Sequence, residues 1–351
     1  MQVLGYLCKT KEVKAMRRYR FFILAGIACL LFSCAKKGQR EVVVYTSVDQ
    51  VFSEPILNDF EKNTGIKVKA AYDVEASKTV GLVNRLIAEK RNPKCDVFWN
   101  NEIVRTIVLK EKEILIPYAS LSAEDIPPQF RDKDDYWTGF AARARVLIYN
   151  TKMLEEADVP ESIFELAKPK WKGRVALAYP LFGTTASHIA SMYVSLGQEK
   201  TEEYLKAMKA NDIVIVDGNS VARDVVVEGR IPLAFTDTDD VNVAIQSGKP
   251  VKTIYPDSDG IGTLLIPNTV ALIKDCPHPD EGKILIDYLL SREVESKLAF
   301  CESANMPIRD GVKKPLHVPE FSSIKAMGVN YYKVAENLDK SARFCQGLFV
   351  R

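Results

Sequence analysis

Histidine is scarce in this chain: His188, His278 and His317 are the only three in 351 residues. None stands at metal-ligand spacing from another, and no H-E-x-x-H occurs, so a histidine-built zinc or transition-metal centre has no support. The three read as packing or surface residues. Also lacking are a G-x-S-x-G elbow and a glycine-rich loop of Walker type, which removes the common serine-hydrolase and nucleotide-hydrolase arrangements. A paired-carboxylate glycosidase needs two organised acids, and no spacing here organises them. An exported hydrolase is therefore the competing class, and the expectation is a binding protein and not an enzyme. There is no internal repeat and no low-complexity tract.

What the first residues hold is an export pattern. Arg17, Arg18 and Arg20 precede an uncharged apolar run over 21–32 and then Ser33-Cys34. That run suits a signal-peptide core and falls short of the roughly 20 apolar residues a spanning helix needs. Leu31-Phe32-Ser33-Cys34 resembles the lipobox of bacterial lipoproteins, which implies acylation of the Cys34 thiol and cleavage before it. The expectation is a signal peptide over 1–33, a polar tether over 34–40, and a periplasmic or cell-surface protein anchored in a lipid membrane. Residues ahead of Met16 fit no targeting pattern, and Met16 would make a cleaner start. Within 1–33, six bases stand against Glu12, so the formal net charge of +2 becomes −3 in the remainder. No basic stripe is left for nucleic acid. Of seven cysteines, Cys95, Cys276, Cys301 and Cys345 remain beyond Cys34. In an exported protein an even number permits disulfides, and Cys301 with Cys345 is the expected pair. Cys95 lies in an apolar run and reads as a small buried residue.

Strand and helix patterns alternate through the body. Strands are expected at 41–45, 66–71, 95–99, 174–178, 213–216 and 231–235. Helices are expected at 53–63 (N-cap Ser53 or Asp49, stop at Gly65), 76–90, 185–196, 201–211, 221–228, 241–246, 279–290 and 294–300. This predicts an α/β fold of parallel or mixed sheets with crossover helices. Two segments, 145–149 and 270–273, would link the halves, giving lobe one as 41–144 with 271–315, lobe two as 145–270, and a helical extension over 316–351. Trp99 and Trp137 are assigned to the core. Ligands of such sheets bind beyond the carboxyl ends of the strands.

Eight fragments, in order, carry a family resemblance. They are Val44-Tyr45-Thr46-Ser47, Phe60 with Thr64-Gly65-Ile66-Lys67-Val68, the run from Asp96 through Trp99 to Glu102, Trp137-Thr138-Gly139, Arg143-Ala144-Arg145-Val146, Pro169-Lys170-Trp171-Lys172-Gly173, Asn219-Ser220-Val221 and Met306-Pro307-Ile308. Together they make the chain resemble the periplasmic ferric-ion-binding proteins of the type II solute-binding superfamily. The resemblance implies two α/β lobes closing over an interlobe cleft, a monomer delivering cargo to an ABC-transporter permease, and ferric iron with a phosphate or carbonate anion as that cargo. The family takes iron with adjacent tyrosines after the strand at 231–235. Here Thr236-Asp237-Thr238-Asp239-Asp240 stands instead. Tyr331-Tyr332 follows the family core and reads as packing.

The residues themselves allow two half-sites. Asp49, Glu102, Asp237, Asp239 and Asp240 fall at predicted strand ends and suit a hard cation, an ammonium or a polyamine. The same Asp-rich turn also fits the start of the 241–246 helix, with Asp237 or Thr238 as cap. Gly183, Thr184 and Thr185, with Asn219 and Ser220, precede helices and suit an anion, as does Arg143 through a bidentate contact. Capped turns and an interlobe salt bridge are the plain alternatives. Cargo thus stays open between a metal ion with its anion and a small zwitterion such as an aminophosphonate.

Overall fold

In the computed structural model, residues 39–73 and 80–349 are described. The export segment, Cys34 and residues 35–38 of the tether lie outside the described residues. The body opens with β1 (Glu41–Thr46), α1 (Gln50–Thr64), β2 (Lys67–Tyr72), α2 (Val80–Ala88), β3 (Val97–Asn100), α3 (Val104–Glu111) and β4 (Leu115–Ile116). The long strand β5 (Thr138–Asn150) leads to β6 (Val175–Ala178), α4 (Gly183–Ser195), α5 (Gln198–Ala210), β7 (Val214–Val216), α6 (Asn219–Val227), β8 (Leu233–Asp237), α7 (Thr238–Gln246) and β9 (Val251–Ile254). Then follow β10 (Leu265–Ile273), α8 (Pro279–Leu289), α9 (Arg292–Phe300) and α10 (Tyr331–Phe349). The first four residues of the expected 76–90 helix lie outside the described residues.

Helix α1 shows how local chemistry sets its limits. Gly65 stops it in the left-handed region at φ 69°, its N–H donating to Glu61 O, as glycine does without a Cβ penalty. Asp49 holds the N-cap position but makes no capping bond from its side chain. Ser53, the other candidate, lies within the helix and returns its hydroxyl to the carbonyls of Asp49 and Val48.

The strands run in the order β2-β1-β3-β10-β5-β8-β6-β7. β1 is parallel to β2 and β3, and β6 is parallel to β7 and β8. β5 belongs to both halves: residues up to Ala144 pair with β10, and from Arg145 onward it pairs with β8 and β9. The expected first link therefore falls in the second half of β5. The second expected link, 270–273, is the part of β10 beside β3 and β4, although β10 already runs along β5 from Leu265.

All thirteen residues of β5 are buried. Val146 and Ile148 face one apolar cluster while Leu147 and Tyr149 face another, so the strand is sandwiched by period-two alternation. A separate core holds β1, β3 and β10 with α1, α2, α3 and α8, and takes in Trp99 and Trp137 as expected. Helix α10 spans two clusters. Its Val334, Ala335 and Leu338 join that first core, and Cys345 and Phe349 pack with Ile189 and Tyr193 of α4 and Leu205 of α5. Among the described residues no helix is long and apolar enough to cross a membrane.

The expected Cys301–Cys345 disulfide is not formed, because Cys95, Cys276, Cys301 and Cys345 are all free thiols. Cys301 closes α9 against the first core, its sulfur 2.9 Å from Ser303 Oγ, whereas Cys345 sits in the α4–α5–α10 cluster.

Candidate functional site

Three strands of the second sheet end where three helices begin. β6 leads into α4 at Gly183, β7 into α6 at Asn219, and β8 directly into α7 at Thr238. Their N-termini, with the positive ends of their dipoles, gather round a cleft. Asp49 and Asn101, from loops after β1 and β3, contribute the opposite wall, and Arg143 enters from β5. Tyr179 and Phe182 also line it, ring centroids 5.8 Å apart. Gly183 opens α4 at φ 55°, a conformation that disfavours any side chain, so the turn from β6 into α4 depends on glycine.

Beneath the cleft lies a hydrogen-bonded floor. Arg145 Nη1 reaches Asp237 Oδ1 at 2.7 Å, Asn219 Oδ1 at 3.1 Å and Thr184 Oγ1 at 3.2 Å, while its Nη2 reaches Thr185 Oγ1 at 3.2 Å. The other Asp237 oxygen accepts from Thr184 Oγ1 at 2.7 Å and Asn219 Nδ2 at 3.0 Å. The Arg145 guanidinium also stacks 4.4 Å over the Phe235 ring. Arg143 Nη1 bonds Asp239 Oδ2 at 2.9 Å and Asp237 Oδ2 at 3.3 Å, and its Nη2 donates to the Asn101 carbonyl at 2.5 Å. Burial works to raise the Asp237 carboxyl, but the two guanidiniums and the Thr184 bond outweigh it and hold the pKa below the usual range. Burial likewise works to lower Arg143, and Asp239 and Asp237 reverse this, so the net shift is upward.

Most of the expected residues are brought together. Asp49, Asp237, Asp239, Asp240, Arg143, Gly183, Thr184, Thr185 and Asn219 all line the cleft. Ser220 faces an adjoining hollow that shares Asp49, Asp239 and Asp240 with it. One oxygen from each of Asp237, Asp239 and Asp240 lies within 4.8 Å of the others, close enough to share a cation. Asp239 and Asp240 also occupy the first turn of α7, as the capping alternative requires, although Asp237 makes no side-chain cap.

Glu102 does not join them. Fully buried, its carboxylate accepts from the N–H groups of Val104 at 2.7 Å and Arg105 at 2.8 Å, opening α3. Ser187 Oγ of α4 donates to it at 3.1 Å and Asn100 Nδ2 at 3.3 Å. These bonds occupy both oxygens, so Glu102 ties α3 to α4 and is kept from the cleft.

Arg145 and Arg223 were missed as site residues. Arg145 had a legible signal, since Arg143 and Arg145 stand two apart on a strand and so share a face. Arg223, one turn into α6, has its Nη1 3.8 Å from Asp240 Oδ1, and nothing in its neighbours marks it. His188 is buried one turn along α4 from Thr184, its ring edge-on to Phe235 at 4.8 Å.

Comparison with known proteins agrees with this architecture. Residues 93–334 match the family described as bacterial extracellular solute-binding protein. Iron uptake protein A1 of Synechocystis sp. is 28% identical over 298 residues, covering 82% of this chain and 81% of that protein. A putative 2-aminoethylphosphonate-binding periplasmic protein of Salmonella typhi is 29% identical over 302 residues, 82% of this chain and 85% of its own length. Among solved structures, iron-bound HitA from Pseudomonas aeruginosa superposes with a TM-score of 0.80 at 22% identity, over 89% of this chain and all of that one. The two-lobe fold of type II binding proteins is thereby shared.

Proposed function

The chain belongs to the bacterial extracellular solute-binding protein family, and from that premise we propose that it is the receptor of an ABC importer, taking cargo that presents an anion and a cationic centre together. One observation carries this reading: the N-termini of α4 and α6 and the Arg143 guanidinium share a single cleft with Asp239 and Asp240. Anions are held by helix N-termini and arginine, and cations by carboxylates. Gly183, Thr184, Thr185, Asn219 and Ser220 form the anion half, and Asp49, Asp237, Asp239 and Asp240 the cation half. The lobes are 41–144 with 271–315, and 145–270, and their closure traps the cargo. Residues 316–351 add the helix that runs along both. Acylation at Cys34 would keep this monomeric receptor beside its permease.

Ferric iron with phosphate or carbonate is the first cargo that meets the description, supported by the iron uptake relative and by the clustered aspartate oxygens. A zwitterion such as an aminophosphonate is the second. Its support is specific: Asp237 and Asp239 are already bonded to arginines, and residues 236–240, where the family has its adjacent tyrosines, hold none. The test is calorimetry of the processed protein with ferric citrate, with and without phosphate or carbonate, and with 2-aminoethylphosphonate alone. Binding of ferric iron only with its anion supports the first cargo, and binding of the aminophosphonate without iron supports the second. Heat from none of these would sink the cleft reading.

A further inference from the structure

Every aspartate of the cluster lies beside an arginine. Asp237 is 2.7 Å from Arg145, Asp239 is 2.9 Å from Arg143, and Asp240 is 3.8 Å from Arg223. A carboxylate group that attracts a bare metal ion does so with uncompensated negative charge, and here each carboxylate of the cluster has a guanidinium beside it, although Arg143 also reaches Asp237 and Arg223 also bonds Asp224. A cation entering alone must displace a guanidinium from a site where water screens little. Of the three arginines only Arg143 lines the inner cleft. It is 4% exposed, and among the described residues its Nε has no hydrogen-bond acceptor although both Nη atoms are bonded. A buried N–H left unpaired is costly, so this guanidinium, like that of Arg145, keeps a donor without an acceptor.

We propose that Arg143 is the specificity-determining residue of the cleft: it cancels the charge of Asp239 against bare cations, and its guanidinium selects cargo that brings an anionic oxygen. The inference rests on the cleft being the cargo site, and it names what both cargo classes must share. Iron would enter only with its anion, and an organic cation only when it carries a phosphonate, phosphate or carboxylate. The alternative role is a brace joining the Asn101 loop to α7, which would favour neither charge.

The experiment uses the processed protein and its R143Q and R143K variants. Terbium(III) alone, followed by its luminescence in a non-coordinating buffer, probes bare hard cations. Inorganic phosphate and 2-aminoethylphosphonate, followed by calorimetry, probe anions. Loss of a charge-assisted hydrogen bond should weaken R143Q for the anions by about tenfold or more, while terbium binding tightens by about tenfold. R143K keeps the charge and should still reject terbium while binding anions more weakly, and it carries the test if R143Q does not fold. Both affinities falling together in a folded R143Q, or terbium binding R143K more tightly than wild type, would overturn the inference. Wild type binding terbium alone as tightly as terbium with an anion overturns it too. Wild type binding no anion and no ferric complex would instead remove the cargo-site reading beneath it.

Discussion

Protonation of His188 should set the acid limit of this protein's stability. The ring is buried, both nitrogens lack partners among the described residues, and Ile189, Met192, Tyr204 and Phe235 give it apolar surroundings. Burial, helped by the positive charge of Arg145 and opposed by Asp237, lowers its pKa from 6.5 to about 3. A depressed folded value makes the neutral ring a stabilising feature that is complete above about pH 6.5. It is lost as the pH falls, because the unfolded chain takes up a proton that the folded chain refuses. At pH 5 the unfolded histidine lies 1.5 units above the solution pH, and at about 1.4 kcal/mol per unit the loss is about 2 kcal/mol. That figure holds for any folded pKa below about 4, so it does not depend on how deep the shift runs. The perturbation is His188→Leu, which fills similar space without a titrating group. Thermal unfolding of both proteins at pH 7.5 and pH 5 should show the wild type losing about 4 °C more than the variant, at roughly 2 °C per kcal/mol for a chain this long. Carboxylates titrate alike in both proteins and cancel. Parallel losses in the two proteins would refute the reasoning.

Glu102→Ala should cost about 2 kcal/mol, because it strips the acceptors from two N–H groups opening α3 and from the Ser187 hydroxyl. Its urea midpoint should drop while the affinity for cargo, measured on folded protein, moves little; a large affinity loss with unchanged stability would return Glu102 to the cleft. Gly262→Ala should be among the worst single changes, since φ is 85° and a Cβ would lie 2.6 Å from the Ala326 carbonyl oxygen. A loss above about 3 kcal/mol in equilibrium unfolding is expected from strain and clash together, and a loss under 1 kcal/mol would contradict it.

Much of this molecule is legible along the chain because its signals are local. The β-branched run of β1, the Gly65 stop and the placement of Asp237 at a strand's end all follow from neighbours within a few residues. The strand-to-helix turns at Gly183, Asn219 and Thr238 were readable for the same reason, and they hold the cleft. The absence of adjacent tyrosines after the eighth strand is equally a property of the chain alone, and it is what opened the question of cargo.

Contacts between distant residues were decided only when the chain folded. Arg145 and Asp237 are 92 positions apart, Glu102 and Ser187 are 85 apart, and no local pattern records that either pair meets. Glu102 looked like a cleft acid because it follows a strand, yet α4 packs over it and draws its carboxylate onto two backbone N–H groups. The two cysteines that counting would join serve different cores. Charge shows the same division: the chain states how many aspartates it carries, but whether they attract a metal depends on which arginines stand against them, and that is fixed by how β5, α6 and α7 come together.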